Sequence, residues 1–454
     1  MPLLSPLDSS ALHEEGLLRR GNREGSHRLH KRRLNRSSDE EHRDIPLVIP
    51  PDSPGINDAF VTIPIVLISR ETLIYVGLSD TKGDELWNRW LNFSPDDASL
   101  RETDGGDLTF VDFILGYYEY GPDAVGDNDD AWYACLDTCG IASETQAALM
   151  DPHFAYLRRS QSCSYWVRDT IEMRYAGLED IQRASRDREM ALQRAAMRPG
   201  GSSSSSLAPS GERRSISGLQ HRNMTGIIDV WGSARFLAAQ NAPGHTVLYK
   251  ALDQARIAGL FDDQGNLVEI DTLLSSYPSD FSGKAGLFYF TPNYNVALYY
   301  ARYAKNRLRG GSVVMVVLHV PNAAIQSLSP PKIRHITWPS NDWKELVWGS
   351  RTRKKPPSHL RIWEDSILVI GSTARKPDLS FRALESWEYV TEDFLLKAGP
   401  GGFLESNATI ATQYVINGSD SGSDWLIQNG GRSLLVFTYP SSDLTRWLAE
   451  NPSL

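Results

Sequence analysis

An α+β fold, with a mainly helical part followed by a strand-rich part, is predicted by three features of the sequence. Apolar residues recur at helical spacing before residue 198, short β-branched and aromatic runs dominate after residue 245, and a Ser/Gly/Pro segment separates the two. With 454 residues, 41% of them hydrophobic, the chain is long enough for two or three ordinary domains.

Residues 1–44 are expected to be a disordered basic tail. Eight Arg or Lys fall between Arg19 and Arg36, with only Glu24 against them. Lys31-Arg32-Arg33, preceded by Arg19-Arg20, reads either as a two-part nuclear localisation signal or as a solvated tail with no partner.

Residues 45–198 read as a mainly helical domain whose expected role is packing or partner binding. The runs 61–68 and 72–76 are rich in Val, Ile and Thr, which predicts one or two strands. Leu108, Val111, Ile114 and Leu115 then repeat at helical spacing. From Trp166 to Met197, Ile171, Tyr175, Leu178 and Ile181 form one apolar stripe among charged residues, an amphipathic helix ending before Pro199-Gly200. Residues 199–221 read as a Ser/Gly-rich linker, residues 222–385 as a second domain and residues 386–454 as a C-terminal extension.

Charge and cysteine content narrow the function classes. A net charge of −9 gives no global reason to expect nucleic-acid binding. Cys135, Cys139 and Cys163 are too few for a disulfide scaffold, and no second Cys or His pair completes a metal site beside the first two, so buried thiols are expected. The opening residues lack the apolar core of a secretory signal, and the run 61–68 is too short to span a bilayer. No membrane association and an intracellular location, cytoplasmic or nuclear, are the expectations. His-Glu-x-x-His, Gly-x-Ser-x-Gly and protein-kinase motif sets do not occur.

The second domain holds the one ordered set of chemistry-bearing residues. A strand over 246–250 ends in Lys250. Asp280-Phe281-Ser282-Gly283 leads into Phe288-Tyr289-Phe290-Thr291, and a helix follows in which Ala297, Tyr300 and Ala304 recur. A buried strand spans 313–318. Residues 343–347 read as a strand bearing Glu345, and 365–371 as a last buried strand.

This order resembles the ADP-ribosyltransferase superfamily, on its diphtheria-toxin-like and poly-ADP-ribose-polymerase-like side, over roughly residues 246–371. Phe288, Tyr289, Thr291, Asn293, Ala297 and Tyr300 match the family's second motif. Asp280, Trp343, Val347, Arg351 and Ile370-Gly371 match an outline shared by small bacterial and fungal transferase-like families. The resemblance implies a split β-sandwich and NAD as co-substrate. It implies that Tyr289 and Tyr300 clasp the nicotinamide ring, each stacking contact adding about 1 kcal/mol beyond area burial. Thr291 would hold the strand-to-helix turn, and Lys250 would donate to the ribose where the family has His or Arg. Glu345 would stabilise the oxocarbenium-like state. Ala251 stands where the family usually has Gly, which lets the backbone approach the ring. Two functions follow as expectations: a mono-ADP-ribosyltransferase acting on a protein or small-molecule acceptor, or a binding module on the same fold that has lost NAD chemistry.

Overall fold

The computed structural model describes residues 1–49, 58–93, 108–119, 121–197, 228–262, 264–399 and 407–452. The basic N-terminal stretch is folded, contrary to the expected tail. Helix α1 (Pro6–Glu14) is capped by the Ser5 hydroxyl, which accepts from Asp8 N. Strands β1 (Leu18–Arg20) and β2 (Ser26–His30) form a hairpin, a single turn at Lys31–Arg33 and helix α2 (Ser38–Glu41) follow, and β3 (Phe60–Pro64) completes an antiparallel sheet in the order β1-β2-β3. The physical reason is that leucines interrupt the charge run. Leu3, Leu12, Leu17, Leu29 and Leu34 are all buried, and their burial outweighs the polarity between them. Lys31-Arg32-Arg33 is therefore no free peptide: Arg33 is buried, and Arg32 pairs with Asp39.

Helices dominate the next segment. They are α3 (Arg70–Val76), α4 (Asp80–Phe93), α5 (Phe110–Tyr117), α6 (Asp129–Thr138), α7 (Ser143–Met150), the short α8 (Ala155–Arg158) and α9 (Cys163–Ala196). The strand expected over 72–76 is helical instead. Ser69 Oγ accepts from Thr72 N to start it, and Gly77 at φ 121° ends it, so local capping overrides β propensity. Helix α9 matches its expected stripe, with Ile171, Tyr175, Leu178 and Ile181 all buried. The linker 199–221 lies outside the described residues.

Two four-stranded sheets follow. The first runs β4 (Ile228–Val230), β13 (Leu435–Tyr439), β7 (Val313–Pro321), β5 (His245–Asp253). The second runs β6 (Phe288–Phe290), β12 (Thr412–Ile416), β9 (Leu368–Ser372), β8 (Ile333–Ile336). An isolated bridge, Tyr249 N to Thr291 O at 2.8 Å and Thr291 N to Tyr249 O at 3.0 Å, joins β5 to the end of β6. Helices α10 (Ala234–Ala239), α11 (Tyr294–Arg307), α12 (Asn322–Gln326), α13 (Asn341–Arg351), α14 (Asp378–Arg382), α15 (Asp420–Gly430) and α16 (Ser441–Glu450) connect and cover the strands.

Residues 386–454 are not an appendage. They supply β12 and β13, each an interior strand of its sheet, and helix α15 between them. A unit ending at residue 385 would lack a strand from both sheets.

Strand β7 shows how the layers stack. Val314, Val316 and Leu318 face a cluster shared with Phe288, Phe290 and Ile416 of the second sheet, while Val313, Met315 and Val317 face a cluster shared with the helical part. Successive side chains on a strand point to opposite faces, so an unbroken apolar run marks a strand buried on both. The second of these clusters runs from Leu3 through Ile171 to Leu444. The helical part and the first sheet thus share one core, where the sequence suggested two. A third cluster, on the outer face of the second sheet, packs Val369 and Val415 against Trp343, Leu346 and Val347 of α13.

Candidate functional site

The loop before β6, the C-terminal end of α13, strand β12 and the start of α14 converge on one buried ion pair. Asp280 accepts from Arg351 Nε at 3.0 Å and Nη2 at 2.6 Å. Its second oxygen accepts from Ala374 N at 2.8 Å and Gln413 Nε2 at 2.9 Å. Arg351 reaches on to Asp378 at 3.1 Å. Asp280 and Arg351 are 4% and 7% exposed, so the pair is tolerated only because both groups are hydrogen-bonded.

The residues singled out from the sequence as Asp280, Trp343, Arg351 and Gly371 meet here. Trp343 donates from its indole to Ser372 O at 2.8 Å. Gly371 is required by close approach: a Cβ there would stand 2.4 Å from Ile336 O and 2.6 Å from the Phe281 ring.

Tyr289 and Tyr300 both face this pair electrostatically. The Tyr289 hydroxyl donates to Ser279 Oγ at 2.8 Å and accepts from Phe281 N at 3.0 Å. Burial and then the Asp280 charge raise its pKa well above the usual phenol range. Tyr300, on α11, is pushed up to about 12 by burial and then by Asp280, with Arg351 and Ser160 acting the other way. The rings nonetheless pack in different cores, Tyr289 with the α13 cluster and Tyr300 with the helical cluster.

Thr291 holds the strand-to-helix turn. Its hydroxyl donates to Thr412 O at 3.2 Å and accepts from Asn293 N at 3.1 Å, and Asn293 Oδ1 caps α11. Lys250 lies on β5 between Leu248 and Leu252, on the face toward the second sheet. Its ammonium donates to Ser275 Oγ at 2.7 Å. Burial and then the neighbouring Arg256 pull its pKa down to about 7, so desolvation leaves this amine half neutral at physiological pH.

Glu345 departs from expectation. It lies on helix α13, not on a strand. Trp343, Leu346, Val347 and Arg351 form the buried side of that helix, which leaves residue 345 off the seam. Its carboxylate lies 4.0 Å from His359 Nε2, and no bond to Tyr289, Tyr300 or Lys250 is formed. A polar residue that the structure does place at the ion pair is Gln413, on interior strand β12, opposite Gly371 of β9. The alternation Thr-Gln-Tyr-Val-Ile was its only signal, and it lay in what read as an extension.

The cysteines are buried thiols, as expected. The Cys139 contact draws Cys135 down, but its contact with Cys163 and burial push it up to about 12. Among the described residues, no group of three or more His, Cys, Asp or Glu is arranged to hold a metal ion, and no helix is long and apolar enough to cross a membrane. No protein-family model matches the chain, and no curated protein or solved structure matches it.

Proposed function

We propose that residues 228–452 form an ADP-ribosyltransferase-like split β-sandwich that has lost transfer chemistry and acts as a binding module. The observation that carries this reading is the state of its acids. Stabilising positive charge on a ribose needs a carboxylate that is preorganised and free to face it. Asp280, the carboxylate acting on both tyrosines, has both oxygens committed to Arg351, Ala374 and Gln413. Glu345 turns to His359. The interior strand beside β6 carries an amide, Gln413, which cannot take up a negative charge.

The test is nicotinamide release from NAD by the full-length chain, with calorimetric titration of NAD alongside. The expected result is no release above buffer and no saturable heat at millimolar NAD. The competing reading is a mono-ADP-ribosyltransferase using NAD, Lys250, Tyr289, Thr291 and Tyr300 for binding and Glu345 for chemistry. Release that disappears in Glu345→Gln would establish that reading in its place.

A further inference from the structure

A second place in the molecule has the makings of a ligand site, and it is independent of the tyrosine pair. Helix α1 and the β1–β2 hairpin flank an open surface cleft of about 490 Å3, lined by His13 and Glu14 of the helix and by Arg19, Arg20 and His27 of the hairpin. Small-molecule sites usually span roughly 300–1,000 Å3.

Its lining is unbalanced in charge. Arg20 and His27 are direct cross-strand partners, and His27 is held below its ordinary pKa by burial and then by the nearby His13. Period two puts Arg20 on the Leu18 face, while Arg19 emerges on the other and rests over the Phe60 ring at 4.2 Å, at the rim of the cleft. Among the described residues, the side chains of His13, Arg19, Arg20 and His27 form no ion pair and no hydrogen bond.

Neighbouring arginines differ. Arg23 pairs with Asp80, Arg32 with Asp39 and Arg36 with Asp187. Arg19 and Arg20 are thus left without a carboxylate partner at the cleft, although carboxylates serve the arginines around it. Glu14 is the one acid in the lining, and it pairs with none of the four.

We propose that this cleft binds a phosphorylated small molecule, with the phosphate seated between Arg20, His27 and His13 and with Arg19 guarding the rim. A guanidinium fork matches two phosphate oxygens at once, and the imidazole N–H groups beside it can donate to the others. The shared chemistry is the phosphate group, whether carried by a nucleotide or by a sugar.

The test titrates the full chain with pyrophosphate at low ionic strength, reading heat and the ring resonances of His13 and His27. One-site binding that shifts both rings is expected. Arg20→Gln should weaken it by about tenfold or more, and Glu14→Gln should tighten it, with thermal unfolding confirming that each variant is folded. ADP and ribose 5-phosphate serve as further arms, and tighter binding of either than of pyrophosphate identifies the source. No saturable binding to the unmodified chain, or equal binding by a folded Arg20→Gln variant, overturns the proposal.

Discussion

Asp280 and Arg351 lie 71 positions apart in the chain and make the bond on which the second sheet's outer layer depends. Removing one partner of a buried, hydrogen-bonded pair leaves the other charged and unsolvated, which costs about 3–5 kcal/mol. Asp280→Asn and Arg351→Met should each lower the unfolding free energy measured by denaturant titration by that amount, and the double variant should lose less than the sum of the two. Additive losses in that cycle would mean that the two groups do not act as a unit. Trp343, Arg351 and Gly371 were legible as motif members because each has a demanding physical role: an indole donor, a bidentate cation, a position without room for a Cβ. Glu345 was misplaced because a carboxylate near an aromatic run carries no information about which way its element faces.

At the scale of single elements, capping decided the outcomes that periodicity left open. His30 shows this most sharply. Its Nδ1 accepts from Arg32 N at 3.2 Å to start the turn at Lys31–Arg33, and Nε2 lies 3.1 Å from Pro46 O. An accepting Nδ1 requires the neutral ring. Burial, opposed by the Pro46 bond and reinforced by Arg33, Arg32 and His42, lowers its pKa from 6.5 to about 4. Between those values the unfolded chain holds a proton that the native state lacks. This contribution to stability is complete above pH 6.5 and is lost as pH falls toward 4. The unfolding temperature should therefore drop across that window, and less steeply in His30→Asn. Parallel pH profiles for the two proteins would rule His30 out as the source. The helices over α9 and α11 were readable because their stripes are long. The segment 72–76 was not, because five residues of Thr, Leu, Ile, Tyr and Val suit either state until Ser69 supplies a cap.

For the whole molecule, the C-terminal residues matter most. With β12 and β13 interior to the two sheets, deleting them exposes ladder edges and opens all three clusters at once. A chain ending at residue 385 should show no cooperative unfolding transition and should bind a hydrophobic dye. A sharp transition near that of the full chain would contradict this architecture. The N-terminal segment is similarly integral. Lys305 on α11 bonds Glu41, which also accepts from Ser312 at 2.7 Å and from Ser441 at 3.1 Å, a buried knot linking α2, α11, β7 and α16.

What the sequence by itself determined was the α+β class, the long helix α9, strands over 246–250 and 313–318, and the turn held by Thr291. These rest on local periodicity and local hydrogen bonding, which neighbouring residues encode. Tertiary structure alone decided that the basic N-terminal stretch folds, that the last 69 residues complete both sheets, and that Gln413 rather than Glu345 bonds Asp280 at the ion pair. Each of those depends on pairings between residues far apart in the chain. Such pairings are set by which apolar faces can be buried together, and no single stretch of sequence contains that information.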